Sequence, residues 1–259
     1  MEQSELSAMT YNIRLNTDSD GDNAWPERRN FLASQIEFHQ PEVLGIQEGL
    51  PEQVDWLSVH LEDYDFIGEG RQGGHAGEYS AIYFRSSDVQ VQRSGTFWLS
   101  ETPDRVSTGW DAALPRICTW AEFTTEDGSY TFMVFNTHFD HVGQEARKQS
   151  ADLILQMMQR LNPENLPVIF MGDLNLTPET EPIQRFSEEL NDVYEIAPVR
   201  LGSAATFNGF RTDEIPSRRI DYIFVSQDIQ VARMATLTDF VNGRYASDHF
   251  AVLAKLIIE

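Results

Sequence analysis

Tyr79-Ser-Ala-Ile-Tyr-Phe84, Ile117-Cys-Thr-Trp-Ala-Glu-Phe123 and Tyr130-Thr-Phe-Met-Val-Phe135 follow one another with no helical spacing between them. Each run is short, rich in β-branched and aromatic residues, and flanked by turn formers, which is the pattern of a strand. Strict alternation of strands with helices would imply one parallel sheet covered on both faces. Consecutive strands imply an antiparallel or mixed sheet instead. Working outward, Leu6–Ile13, Val43–Ile46, Val168–Met171, Tyr222–Val225 and Ala251–Ile258 share the same strand character. Helical spacing places Phe31, Leu32, Ile36 and His39 on a helix after Pro26, and Val54, Leu57 and Leu61 on another after Pro51. Ala146, Ser150, Leu153, Met157 and Leu161 share one face of Gln144–Leu161, which Asn162-Pro163 ends. Thr180–Leu190 is a fourth candidate. The predicted architecture is therefore α/β: two mixed sheets packed together with helices outside, in a single domain over residues 1–259.

Composition narrows the class. Of 259 residues, 41% are hydrophobic, an ordinary share for a globular chain and too high for a disordered one. Lys plus Arg is 19 against 41 Asp plus Glu, a formal charge of −22. Such a chain repels phosphate backbones at long range, so duplex nucleic acid is not expected as a partner. The single cysteine, Cys118, excludes an intramolecular disulfide and a Cys-rich zinc site. Met1-Glu-Gln-Ser-Glu-Leu6 has no basic n-region or apolar h-region, and no apolar run approaches membrane-span length. A soluble protein is expected, cytoplasmic as the sequence stands, or secreted or periplasmic if a leader has been removed.

Polar residues collect at the strand ends. Asn12 closes the first, Glu48 the second, and His138 and Asp140 follow Phe135. Asp173 and Asn175 follow Met171, Asp221 precedes Tyr222, and Asp248-His249 precedes the last strand. Apolar neighbours partly desolvate each of them, and several unpaired carboxylates in one place need protons or a cation. Asp, Glu and Asn suit a hard ion such as Mg²⁺, Mn²⁺ or Ca²⁺, whereas zinc prefers more His or Cys.

The segments Met9-Thr-Tyr-Asn12-Ile, Ile46-Gln-Glu48, Asn136-Thr-His138, Gly172-Asp173-Leu-Asn175, Arg219-Ile-Asp221-Tyr and Ser247-Asp248-His249 occur in this order over residues 9–249. Together they resemble the endonuclease/exonuclease/phosphatase superfamily, the DNase I-like phosphoesterases. That resemblance implies a four-layer α/β/β/α sandwich and Mg²⁺- or Mn²⁺-dependent hydrolysis of a phosphate ester. It also implies roles. Glu48 is the principal metal ligand, with Asn12 and Asp248 near the metal or phosphate. Asp173 orients or deprotonates the attacking water, and Asn175 holds that water or the phosphoryl oxygens. His249 faces the phosphate with its tautomer set by Asp221, and His138 is a second histidine acting as phosphate contact or proton donor. Glu78 loosely matches the acidic residue that orients this histidine in some members.

Gly68-Glu-Gly-Arg-Gln-Gly73 formally matches a dinucleotide fingerprint but runs into a strand instead of a helix, so a mobile loop is expected. Asn175-Leu-Thr177 is a formal sequon whose glycan would block the expected site. Between Gly95 and Trp120 lie Trp98, Trp110, Trp120 and Arg116. They either pack a core edge or form an aromatic wall beside the metal, with Arg116 on a phosphate oxygen and Asp140 near substrate. This segment resembles a bacterial branch of the superfamily. His141 reads as a surface histidine.

The expected function is metal-dependent hydrolysis of a small phosphate ester by direct attack of water, since no residue resembles a covalent nucleophile. Arg116, Arg218 and Arg219 are the cations available to draw in an anion. Three alternatives remain: a nuclease on single strands or short oligonucleotides, a silent binding module on the same fold, and a sphingomyelinase-like lipid hydrolase. Against the last, there is no exposed apolar hairpin or basic amphipathic helix to dock a membrane, and no protein partner is evident.

Overall fold

The structure, a computed structural model, describes residues 5–258; the leading Met1–Ser4 considered for a leader lies outside them. Chain order begins with β1 (Glu5–Asn12), α1 (Trp25–His39), β2 (Val43–Gln47), α2 (Pro51–His60), β3 (Tyr64–Ile67) and β4 (Ile82–Arg85). It continues with β5 (Val89–Trp98), β6 (Ile117–Thr125), β7 (Thr131–His138), α3 (Gln144–Leu161), β8 (Val168–Asp173) and α4 (Glu181–Glu189). The last elements are β9 (Asn191–Asp192), α5 (Val193–Ile196), β10 (Arg200–Leu201), β11 (Asp221–Val225), β12 (Ile229–Leu237) and β13 (Ala251–Ile258).

Two mixed sheets result. The first has the order β10-β12-β13-β1-β2-β4-β3 and the second β5-β6-β7-β8-β11-β9. Their inner faces meet in one buried cluster that includes Ala8, Val43, Val134, Ile169, Met171, Ile223 and Val252. A second cluster joins Met9, Tyr11, Leu44 and Ile46 to Leu32, Ile36, Val54 and Leu57 of α1 and α2. A third joins Met133, Phe135 and Phe170 to Ile154, Met158, Ile183 and Phe186 of α3 and α4. Three apolar layers separate four layers of secondary structure, as expected for the α/β/β/α sandwich. Burying one such side chain contributes about 1.5–3 kcal/mol, so these layers supply most of the driving force.

Period-2 alternation explains where the polar groups go. Ala8 of β1, Val134 of β7 and Ile169 and Met171 of β8 point between the sheets. Two residues at a time along the same strands come Asn12, His138 and Asp173, so these share the inner face. Register then brings them level. β1 and β2 are parallel, with Asn12 opposite Gln47. β7 and β8 are also parallel, with His138 opposite Asp173, and Asp173 in turn faces Asp221 across the antiparallel β8–β11 pair. β13 runs antiparallel to β1, so the residues just before it lie beside the end of β1. All six polar clusters therefore open at one end of the space between the sheets.

Five strands exceed the predicted set: β3, β5, β9, β10 and β12. β5 is an edge strand whose middle carries exposed Gln92, Arg93 and Ser94, which hide its alternation, and it absorbs Thr96–Trp98, expected in a loop. A register shift between Val231 and Arg233 breaks the period of β12. α3 receives its cap from a distant loop: Asp111 accepts from the amides of Ala146 (2.7 Å) and Glu145 (3.3 Å). That contact ties the loop between β5 and β6 to the end of the sandwich that bears the polar clusters.

Candidate active site

Asp173 sits at the centre, 1% exposed. Its Oδ1 accepts from the Asn175 amide at 2.9 Å, and its Oδ2 from the Asn12 side-chain amide at 3.0 Å. Two imidazoles approach that same Oδ2, His138 Nε2 at 3.5 Å and His249 Nε2 at 3.7 Å. Burial, reinforced by the neighbouring Asp221 carboxylate, pushes the Asp173 carboxyl up to about 7.

Asn12 links Asp173 to Glu48, donating from the same nitrogen to Glu48 Oε1 at 3.0 Å. Glu48 Oε2 accepts from the Leu15 amide at 3.0 Å. Glu48 and Asn175 both have left-handed backbones, at φ 64 and φ 51, a conformation rare for residues with a side chain and often found where function needs it. Asp248 lies across from Glu48, with Arg14 within 3.9 Å of each. Burial raises the Asp248 carboxyl. Arg14 is itself held by Asp20 through two contacts of 2.9 Å.

The two histidines have opposite backing. His249 Nδ1 lies 2.9 and 3.1 Å from the two oxygens of Asp221. Burial opposes charge on His249, but Asp221 and Asp173 overcome it and hold the imidazole well above its ordinary value. His138 Nδ1 instead lies 3.1 Å from an Arg116 nitrogen. Burial and that guanidinium hold His138 well below the usual histidine range.

The outer residues need several corrections. Glu78 does not touch His138 directly; it forms a two-pronged pair with Arg71 at 2.7 and 2.9 Å and stands 4.0 Å from the Arg116 nitrogen that meets His138. The loop carrying Arg71 is folded, not a free glycine-rich segment, with Gly70 donating to Gly74 (2.7 Å), Arg71 to Glu78 (2.9 Å) and Gln72 to Ala76 (3.0 Å). Asp140 has little left for substrate, since it accepts from the amides of Gly143 (2.7 Å), Val142 (2.9 Å) and Ala113 (3.1 Å). Burial opposes ionisation there, but these three amides hold Asp140 below the ordinary Asp value. Arg116 is 5% exposed and spends donors on His138, Asp140 and His141. Arg219 is buried in a pair with Asp192 (2.6 Å) between the rings of Tyr194 and Tyr222, so it does not serve as an anion collector.

Among the tryptophans, Trp98 is buried and donates to the Arg71 carbonyl at 2.8 Å, while Trp120 lies under Arg93. Both pack structure. Trp110 is half-buried in a left-handed turn, with its amide on Glu101, and has no ring contact to the central group. Arg14, Arg71 and His141 escaped the sequence reading as site residues. So did Phe207, whose ring meets His249 edge-on at 5.0 Å with Arg218 over its face at 5.6 Å. Arg14 was within reach, two residues beyond Asn12, and His141, three residues beyond His138, is exposed as a surface histidine should be; Arg71 and Phe207 arrive from loops whose paths carry no local signal.

The family model of the Endonuclease/Exonuclease/phosphatase family matches residues 9–249, the span of the six motifs. The chain belongs to this family. Members are phosphoester hydrolases that use a divalent metal. Atoms of Glu48, His138 and Asp173, and likewise of Asp173, Asp221 and His249, lie within 4.8 Å of one another, spacing able to hold an ion. The chemistry fits, because buried carboxylates facing one another are relieved by a cation. The structure resembles an endonuclease/exonuclease/phosphatase family protein of Bacteroides thetaiotaomicron (37% identity, 99% of this chain and 98% of that one, TM-score 0.95). It also resembles the mannosyl-6-phosphatase of the same organism (38% identity, 98% and 100%, TM-score 0.94). The catalytic domain of human Nocturnin shares the fold at 19% identity, with 98% and 94% coverage and a TM-score of 0.77. Two uncharacterised proteins of Acanthamoeba polyphaga mimivirus match at 26% and 22% identity, over 59% and 33% of their own lengths. Among the described residues, no helix is long and apolar enough to cross a membrane.

The raised Asp173 carboxyl predicts a pH-dependent metal site. Its folded value lies above the unfolded one, so its charge costs folding stability progressively from the ordinary Asp value up to about 7. A cation held beside Asp173 also favours its ionised form, so binding is linked to loss of that proton. Affinity is expected to fall roughly tenfold from about pH 8 to about pH 6, with proton release on binding at the lower pH. Calorimetric titration of Mg²⁺ or Mn²⁺ in buffers of different ionisation enthalpy checks this; constant affinity without proton release contradicts it.

Proposed function

We propose that the chain is a metal-dependent phosphoesterase that releases phosphate from a small ester, of the sugar-phosphate class, as a single catalytic unit. The observation that carries this is Asp173 Oδ2 held between two imidazoles and beside Asn12 and Glu48. Glu48, Asn12 and Asp248 would hold the cation, Mg²⁺ or Mn²⁺ as the family resemblance implies, with Ca²⁺ the alternative. When bound, it supplies Lewis-acid stabilisation of charge on the phosphoryl oxygens.

The chain's own residues do the rest. Asp173 orients the attacking water and takes its proton, with its Oδ1 steadied by the Asn175 amide. His249, charged through Asp221, stabilises phosphoryl charge and gives a proton to the leaving oxygen. His138 and the Asn175 side chain bind phosphoryl oxygens from the other side. The mannosyl-6-phosphatase at 38% identity over nearly the whole chain supports a monoester of a sugar. The charge of −22 supports a compact substrate over a nucleic acid.

A screen of sugar phosphates, inositol phosphates, nucleotides and oligonucleotides with Mg²⁺ or Mn²⁺ tests the reading. Expected are phosphate release from sugar phosphates, loss with a chelator, and little dependence on salt. Cleavage confined to oligonucleotides, falling steeply with salt, overturns it in favour of a nuclease. No turnover and no bound metal favours a silent module.

A further inference from the structure

We propose that Arg116 is a positioning residue that fixes His138 as the Nε2–H tautomer, making it a donor toward the phosphoryl group and removing it from the metal's ligand set. The Arg116 guanidinium has N–H donors on every nitrogen and no lone pair to offer. Its 3.1 Å contact with His138 Nδ1 is a hydrogen bond only if Nδ1 presents its lone pair. The ring hydrogen of a neutral imidazole then sits on Nε2, the atom facing Asp173 Oδ2 at 3.5 Å.

Arg116 cannot easily turn away. A second nitrogen lies 3.1 Å from His141 Nδ1, and Nε lies 3.5 Å from Asp140 Oδ2. Asp140 is in turn pinned by the amides of Ala113, Val142 and Gly143. The order therefore passes from three backbone amides through Asp140 and Arg116 to the imidazole.

One contact competes. The Asn175 side-chain nitrogen lies 3.1 Å from His138 Nε2 and also donates to the Phe139 carbonyl at 3.1 Å. One neutral imidazole cannot accept at both nitrogens. A charged donor makes the stronger bond, and Arg116 has no alternative atom to present, so Nδ1 keeps the lone pair. Nε2 then has no lone pair for a cation, although its spacing to Glu48 and Asp173 would suit one. The ligands that remain are oxygens, the set a hard cation takes.

The full-length chain, ¹⁵N-labelled at histidine, gives the direct test, with His138 assigned by its loss in His138→Gln. Expected is a lone-pair-type shift at Nδ1 and a protonated-type shift at Nε2, both retained when Mg²⁺ is added. An unprotonated Nε2, or a metal-bound shift there, overturns the proposal. Arg116→Gln should move the proton or mix the tautomers, and Arg116→Lys, which keeps a charged donor, should restore Nε2–H. An unchanged His138 signal in Arg116→Gln also overturns it. If that variant does not fold, the wild-type spectrum decides alone.

The kinetic arm rests on the phosphoesterase reading. With a sugar phosphate, Arg116→Gln should lower kcat on the order of 10²-fold with little change in KM, as for loss of one transition-state donor. A raised KM with unchanged kcat would mark Arg116 as a substrate ligand and overturn the positioning role. Failure to find any substrate would count against the function and leave the tautomer measurement intact.

Discussion

Asp173→Asn is expected to abolish turnover, with kcat falling at least ~10³-fold, while the fold persists. The substitution keeps the shape of the side chain, but its single oxygen can accept from only one of the two donors now placed on Asp173, the Asn12 side-chain amide at 3.0 Å and the Asn175 backbone amide at 2.9 Å. What it removes is the negative charge between His138 and His249, and with it the base for the attacking water. A second effect has the opposite sign. Asp173 is fully buried and shares its surroundings with Asp221, which is why its carboxyl is pushed up to about 7. Deleting a charge that the metal-free protein struggles to accommodate should leave its melting temperature unchanged or higher near neutral pH. Rate assays with Mg²⁺ or Mn²⁺ and thermal unfolding in chelator read the two effects separately. Near-normal turnover would remove Asp173 from the base role. A marked drop in melting temperature would show that its charge is structurally required.

Glu48→Gln is expected to weaken divalent-cation binding on the order of 10²-fold, with loss of activity at limiting metal. Both carboxylate oxygens are already placed by donors, Asn12 on Oε1 and Leu15 on Oε2. A glutamine can satisfy only one of these and must turn its NH₂ toward the other. The backbone at φ 64 fixes the side chain's origin, so little adjustment is available. Calorimetric titration on the apo-protein measures the change. A metal affinity equal to that of the unaltered chain would take Glu48 out of the ligand set.

Legibility of the site followed burial. Asn12, Glu48, His138, Asp173, Asp221 and Asp248 each abut an apolar strand run, so a local pattern announces them. Strands β5 and β12 escaped because exposed polar residues and a register shift mask their alternation. The partner of His138 is hidden from the sequence for a different reason. Glu78 is the acid that the resemblance suggests, yet it is taken up by Arg71. Arg116, 22 residues from His138 in the chain, stands behind the ring instead. No spacing rule connects those two positions.

The amino-acid sequence by itself determined the layers and the gathering of six polar clusters at one end of them. Apolar alternation along β1, β7 and β8 sets which side chains face inward, and that is a local property. Only the tertiary structure decided what each inward group meets: a carboxylate behind His249, a guanidinium behind His138, and backbone amides around Asp140. Those pairings depend on loops held by hydrogen bonds between distant segments, and the energy that selects them exists only once the sheets have closed.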